Sequence, residues 1–434
     1  MANLESFKVI IAGGGVAGLT LANALEKAGV DFLLLEKREI APQTGASIIL
    51  QCHTARIFEQ LGIWKQIRAA TFSLTGRFHF DERGKLFDDS PIFKLVEEIT
   101  GWPVVLIERQ SCLDVLYNGL EDKSRIRTNV GVVSFEEDEH GITVKTDHGD
   151  SIRGSILVAA DGVHSTIRGF LANAVSETDP ERSRCLNRGF TSSYRAIFGT
   201  STNGLESSLA RPLLPEGIIN HAYHRNVSGI TAAGAKGLIF WFLFIKETEP
   251  SIALSGQKYT EADATETIKK YGNLLACPGY TFHDLWRARV RAGMVPMEEG
   301  VIQGPWNNSG RVVLVGDSIC KVSNLAVEAV CNLVNGLVPL IRKHRSPTTK
   351  DILDVFTRYE KAQRPRAEIS VKTSHYVTRY ESMDSLWLRF LRWLSPWIPT
   401  SYHVKSFLGY MKPAPFLNFL ANSNPGQNDG AGSK

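Results

Sequence analysis

The spacing of apolar and polar positions changes period along the chain, and each change marks an element. Lys8 to Ala12 is a short apolar run of strand type, Val16 to Lys27 repeats apolar residues at helical spacing and stops at Gly29, and Asp31 to Glu36 is apolar again. These three make a β-α-β unit. A helical stretch near Gln110 to Glu121 then precedes strand-like Arg125 to Thr128, Ile142 to Lys145 and Ser155 to Ala160. The first domain, residues 1–184, therefore resumes after an excursion near 65–105. Residues 185–295 are β-rich, with Phe190 to Phe198, Gly229 to Ala233 and Gly237 to Ile245 forming a sheet that covers a pocket. Residues 296–380 return to the first domain through the strand Arg311 to Val315 and helices from about Leu325 to Lys343 and Lys350 to Tyr376. An aromatic segment, 381–421, follows, and the polar tail 422–434 is too poor in apolar residues to fold.

The turn of the first unit carries chemistry. Gly13, Gly15 and Gly18 form G-x-G-x-x-G between the strand and its helix, and Glu36 closes the second strand 18 residues past Gly18. Gly13 permits the tight turn, Gly15 lets backbone approach a pyrophosphate, Gly18 packs helix on strand, and the helix N-terminus stabilises phosphate charge. Glu36 can accept from ribose hydroxyls and would repel a 2′-phosphate. A glycine triplet alone is only a turn, but strand, helix, second strand and acid in the right order make a dinucleotide site. Two later turns favour FAD over NAD. Asp161-Gly162 follows the apolar strand Ile156 to Ala160, where it can present Asp161 to a bound nucleotide, and Gly316-Asp317 ends the strand Arg311 to Val315, where Asp317 could accept from a ribityl hydroxyl. The expected fold is α/β: a Rossmann-type FAD-binding domain with an inserted β-sheet substrate domain and a helical C-terminal segment.

With the glycine fingerprint, the D-G turn and the G-D turn in this order, the chain resembles the flavoprotein aromatic-hydroxylase superfamily that includes para-hydroxybenzoate hydroxylase. Within it, the chain is similar to the fungal FAD-dependent monooxygenases of indole-diterpene and meroterpenoid biosynthesis. That likeness rests on Glu36-Lys37-Arg38 with the following Ile40 to Ile48, on Ile107-Glu108-Arg109-Gln110, on Phe240-Trp241-Phe242, on Tyr359 to Arg366 and on Ala414 to Leu420. The resemblance implies FAD extended beneath a substrate sheet, NAD(P)H as reductant without a second nucleotide domain, and oxygen as co-substrate. One oxygen atom would then epoxidise or hydroxylate a hydrophobic terpenoid or meroterpenoid. The resemblance also implies Glu36 at the adenosine ribose, Arg109 near the cofactor and Asp317 at the ribityl or pyrophosphate region. It points to Tyr223 or Arg195 on the substrate sheet as the catalytic polar group. Plainer readings stand beside these: Arg109 as a solvated helix-start cation, Tyr223 and Arg195 as ordinary strand residues, and His164 as a turn residue.

The chain departs from the family pattern after Asp317. Relatives carry a Pro and a glycine-rich loop there, whereas Ser318 to Val330 contains neither, and Ile49 stands where they have a glycine. Glycines let N–H groups come close to an anion. Their loss motivates an alternative, a flavin-fold protein without redox turnover acting as a cyclase, isomerase or binding protein. An FAD-dependent dehydrogenase or halogenase is a third reading, but the Trp spacing in Trp393 to Pro399 differs from the halogenase motif.

Charge narrows the partners. A net charge of +4, spread along the chain without a basic tract, argues against nucleic acid. The cysteines, Cys52, Cys112, Cys185, Cys277, Cys320 and Cys331, lie far apart with no C-x-x-C pair, which suits reduced thiols in an intracellular, cytoplasmic protein and offers no metal set. The N-terminus lacks a secretory-leader pattern, and the longest apolar run, Leu238 to Ile245, is too short for a bilayer. Trp387, Phe390, Trp393 and Trp397 recur at helical intervals beside Arg389 and Arg392. That stripe suits either peripheral membrane contact or core packing.

Overall fold

The computed structural model describes residues 7–421, apart from 44, 46, 189, 204–212, 254–257 and 322; the tail expected to be unfolded lies outside the described residues. Five parallel strands form the first sheet, in the order Val312–Leu314, Ile156–Ala159, Lys8–Ala12, Asp31–Glu36, Ile126–Thr128. Their near-continuous apolar sequences follow from burial on both faces, and Val9 to Ile11, Ile156 to Ala159 and Val312 to Leu314 are fully buried. The helix Val16–Ala28 ends at Gly29, whose left-handed φ of 70° lets its N–H reach the carbonyls of Glu26 and Leu25. Because all five strands run the same way, the glycine turn, Glu36, Asp161 and Asp317 fall at one edge of the sheet, outside its carboxyl ends.

The second sheet has seven strands, in the order Arg289–Glu299, Phe190–Thr202, Leu238–Ala253, Val227–Gly234, Ile218–His224, Gly76–Phe80, Leu86–Ser90. The excursion near 65–105 therefore supplies two strands of the substrate sheet. Strand alternation divides this sheet into two faces. Ile197, Trp241, Leu243 and Ile245 point outward into a core covered by the helices Glu261–Tyr271 and Phe282–Arg287. Both helices begin with capping boxes, Thr260 with Asp263 and Thr281 with Asp284. The other face turns towards the first domain, and Ile219, Ala232 and Phe240 join the main core there. Further along the same face, Phe198, Ile230, Phe242, Phe244 and Val295 are only half-buried.

The helix Ser323–Lys343 packs between Val16–Ala28 and Thr349–Glu381. By length and composition its span Asn324–Lys343 could cross a membrane, yet most of it is buried, and it carries an ion-paired glutamate, Glu328; it is a core helix. Thr349–Glu381 starts at a Thr348–Asp351 capping box and runs past the expected end at Tyr376, so that Glu381 reaches the inner face of the substrate sheet. Leu386–Leu394 and Thr400–Met411 are the last two α-helices among the described residues. Trp387, Phe390, Trp393 and Trp397 are 47–66% exposed, which rules out core packing as the reason for the aromatic stripe.

Candidate active site

A cleft of about 420 Å³ opens where the carboxyl ends of the parallel strands converge. Gly13, Gly15, Glu36, Arg109, Asp161 and Asp317 all line it. Gly18 lies behind it: a Cβ there would stand 1.9 Å from the Gly13 carbonyl, so this glycine allows the helix to sit on its strand. Gly13 has a φ of 109°, and a Cβ on it would lie 2.4 Å from the Ala160 carbonyl oxygen. At Gly15 a Cβ would meet nothing within 4 Å and would project into open space. The Glu36 carboxylate is fixed by two backbone donors, Gly14 N–H at 2.6 Å and Arg38 N–H at 2.9 Å. Those bonds orient it and leave further lone pairs for sugar hydroxyls.

The two Asp-bearing turns are joined by a residue that the sequence did not single out. Arg168 is buried, and its guanidinium donates to the Val163 carbonyl at 2.9 Å and to the Ser318 carbonyl at 2.7 Å, tying the D-G turn to the G-D turn. Asp161 accepts from Ile167 N–H at 3.1 Å through one oxygen, while its other oxygen is buried without a partner. A buried unpaired carboxylate oxygen costs about 1–3 kcal/mol or more unless something donates to it. Beyond the turns, Lys321 and His164 both approach Glu298 of the substrate sheet, at 2.7 and 3.3 Å, and Arg291 of that sheet bonds Glu108 beside Arg109.

Burial pushes the Asp317 carboxyl up to about 6 from its ordinary 3.8, against the pull of Lys321 and Arg109. The raised value means that the folded chain holds this proton more tightly than the unfolded chain, so ionisation costs stability as pH rises from about 4 through 6. Asp317→Asn removes that cost. Calorimetry of the flavin-free protein should show the variant melting above the parent at pH 8, with the gain shrinking as pH falls towards 4. A gain independent of pH would contradict this assignment.

The altered stretch after Asp317 does not close the cleft. Ile319, Cys320, Leu325 and Val327 point into the core, and of the described side chains between 319 and 327 only Ala326 lines the cleft. Asn324 ties this stretch down with side-chain bonds: its amide donates to the Ile49 carbonyl at 2.9 Å, and its oxygen accepts from Gln51 N–H at 3.0 Å and Thr54 Oγ1 at 2.9 Å. The start of this helix is thereby stapled to the strand Ser47–Leu50.

Both residues expected to be catalytic lie on the substrate sheet, away from the cleft. Arg195 pairs in register with Ile245, which puts it on the outward face, where it forms an ion pair with Glu247 at 2.7 Å. Tyr223 is on the inner face but sealed: it is 1% exposed, bonded to His79 Nδ1 at 2.9 Å and enclosed by the rings of Phe87 and Tyr380. Neither lines the cleft.

The FAD binding domain family matches residues 6–194. Over 412 residues the chain is 31% identical to the FAD-dependent monooxygenase cdmI of Talaromyces verruculosus, covering 92% of this chain and 84% of that protein. The chain belongs to the FAD-dependent monooxygenases. It is also 30% identical to the FAD-dependent monooxygenase dpasE of Apiospora sacchari, over 96% of this chain and 87% of the relative. Among solved structures it shares its fold with Klebsiella pneumoniae HpxO complexed with FAD and uric acid, at a TM-score of 0.70 and 17% identity over 94% of this chain and 97% of that one. The residues of this monooxygenase fit the cofactor. The unpaired Asp161 oxygen, the open approach at Gly15 and the fixed Glu36 carboxylate supply an acceptor, a phosphate cradle and a sugar contact.

Proposed function

We propose that this FAD-dependent monooxygenase uses NAD(P)H and oxygen to epoxidise or hydroxylate a hydrophobic terpenoid or meroterpenoid intermediate. Gly13, Gly15 and the helix behind them hold the pyrophosphate, Glu36 the adenosine ribose, and Arg109, Asp161 and Asp317 the remainder of the cofactor. When bound, FAD supplies the activation of oxygen and its transfer to substrate. The observation that carries the substrate class is the inner face of the substrate sheet. Phe198, Ile230, Phe242, Phe244 and Val295 form a half-buried apolar wall on the face that turns towards the first domain. Such a surface binds ligands by removing apolar area from water, at about 25 cal/mol per Å². The test is turnover: the FAD-loaded protein should oxidise NADPH faster with a terpenoid substrate, and the product should gain the mass of one oxygen atom. Conversion without mass change or oxygen uptake would restore the reading without redox turnover.

The same proposal places the protein in the cytoplasm, attached peripherally to membranes through its C-terminal segment. Supporting this, Leu386, Trp387, Phe390, Trp393, Trp397 and Tyr402 are exposed together, and successive rings from Trp387 to Trp397 lie 5.1–5.9 Å apart. Apolar area of this kind, tryptophan-rich and on a short helix, suits the interfacial layer of a bilayer. Changing Trp387, Trp393 and Trp397 together to serine should cut co-sedimentation with anionic lipid vesicles by about tenfold or more. Unchanged sedimentation would remove the membrane from the account.

A further inference from the structure

The apolar wall ends in a polar group. Across the inner face one row of register partners runs Phe198, Phe242, Ile230, His221, His79. The first three are half-buried and apolar. His221 is the point at which the row turns polar. Its ring stacks on His79, with centroids 4.7 Å apart, and its side chain keeps 12% exposure. Its Nδ1 lies 2.8 Å from Oε1 of Glu381, a buried carboxylate at the end of the helix Thr349–Glu381. The contact is short but not yet aligned as a hydrogen bond.

This arrangement has a consequence for the tautomer. A buried carboxylate beside Nδ1 favours the proton there, which leaves Nε2 as an acceptor, or as a donor when the ring is protonated. Among the described residues the Glu381 carboxylate meets Nδ1 and not Nε2. His79 is of no use in the same role: burial holds its pKa well below the ordinary histidine range, and its Nδ1 is bonded to Tyr223.

We propose that His221, oriented by Glu381, is the polar anchor of the substrate site. Its Nε2 hydrogen-bonds a hydroxyl or carbonyl oxygen at one end of an otherwise apolar substrate and so fixes which end of the molecule lies against the sheet. Glu381 is a positioning residue and does not touch substrate. This inference rests on the apolar wall being the substrate site.

The test uses the FAD-loaded protein and two probes differing by one hydroxyl, farnesol and farnesene, with binding read from the perturbation of the flavin spectrum. The parent protein should bind farnesol about tenfold more tightly, the size of one hydrogen bond made out of water. His221→Ala should abolish that preference while leaving farnesene binding and flavin content unchanged. His221→Gln, which keeps a donor and an acceptor, should restore part of it. Glu381→Gln should weaken farnesol binding with little change for farnesene. If both probes bind the parent equally, or if His221→Ala keeps the preference, the anchor is wrong and the apolar wall survives. If neither probe perturbs the flavin, the wall itself is not the substrate site and both readings fall.

Discussion

Replacing Gly15 with valine should give a folded, colourless protein. The backbone at this position has φ −79° and ψ −170°, a conformation open to any residue, and a Cβ there meets nothing within 4 Å. The fold should therefore tolerate the change. The branched side chain would instead fill the space through which a pyrophosphate approaches the N-terminus of the helix Val16–Ala28, so flavin affinity should drop by about 100-fold, or ~2.7 kcal/mol. Gly18→Ala should behave in the opposite way. Its Cβ would stand 1.9 Å from the Gly13 carbonyl oxygen, so the helix must lift from the strand and the protein should melt at a lower temperature. Absorbance of the flavin and the melting temperature, measured on both variants, separate a cofactor contact from a packing contact. A Gly15→Val protein that purifies yellow with full flavin content would place the cofactor elsewhere.

What the sequence made legible was whatever depends on neighbours in the chain. The glycine turn, Glu36, Asp161 and Asp317 each sit at the end of a strand, and strand, turn and helix follow one another within a few residues. Parallel pairing then brings those ends together without any further information. The substrate sheet was less legible. Alternation along Phe190–Thr202 shows two faces but not which one turns inward, and that parity alone put Arg195 on the outer side with Glu247. Tyr223 lies on the substrate sheet as expected, but its enclosure depends on Phe87, His79 and Tyr380, which come from segments far away in sequence. The pairing of His221 with Glu381 spans 160 residues and leaves no local signal. The missing glycines after Asp317 suggested an obstructed cofactor site. In the structure the stretch leaves the cleft open, and Asn324 bonds across to Ile49, Gln51 and Thr54.

The largest loss of stability should come from Glu328→Ala. Glu328 is fully buried in the core helix and accepts from Arg366 through both oxygens, at 2.5 and 2.9 Å, while His53 Nε2 lies 2.9 Å from one of them. Arg366 in turn donates to the Tyr410 carbonyl at 3.2 Å and lies over the ring of that tyrosine, and His53 Nδ1 contacts Met411 Sδ. One carboxylate thus joins the core helix to Cys52–Gln60, Thr349–Glu381 and Thr400–Met411. Burial acts to raise its pKa, but the Arg366 and His53 bonds outweigh burial and hold it below the usual carboxylate range. A depressed value makes its contribution present above about pH 4.5 and lost as pH falls through the lower folded value. Removing the carboxylate strands a buried guanidinium and should cost about 3–5 kcal/mol at neutral pH. Replacing Glu328 and Arg366 together by methionine leaves no stranded charge and should cost much less than the single change, a comparison urea unfolding can make directly. Asn324 begins the same helix one turn earlier, so loosening the helix should also release flavin. A Glu328→Ala protein as stable as its parent would mean that the charges repay less than their burial costs, and that the C-terminal helices are held by apolar packing alone.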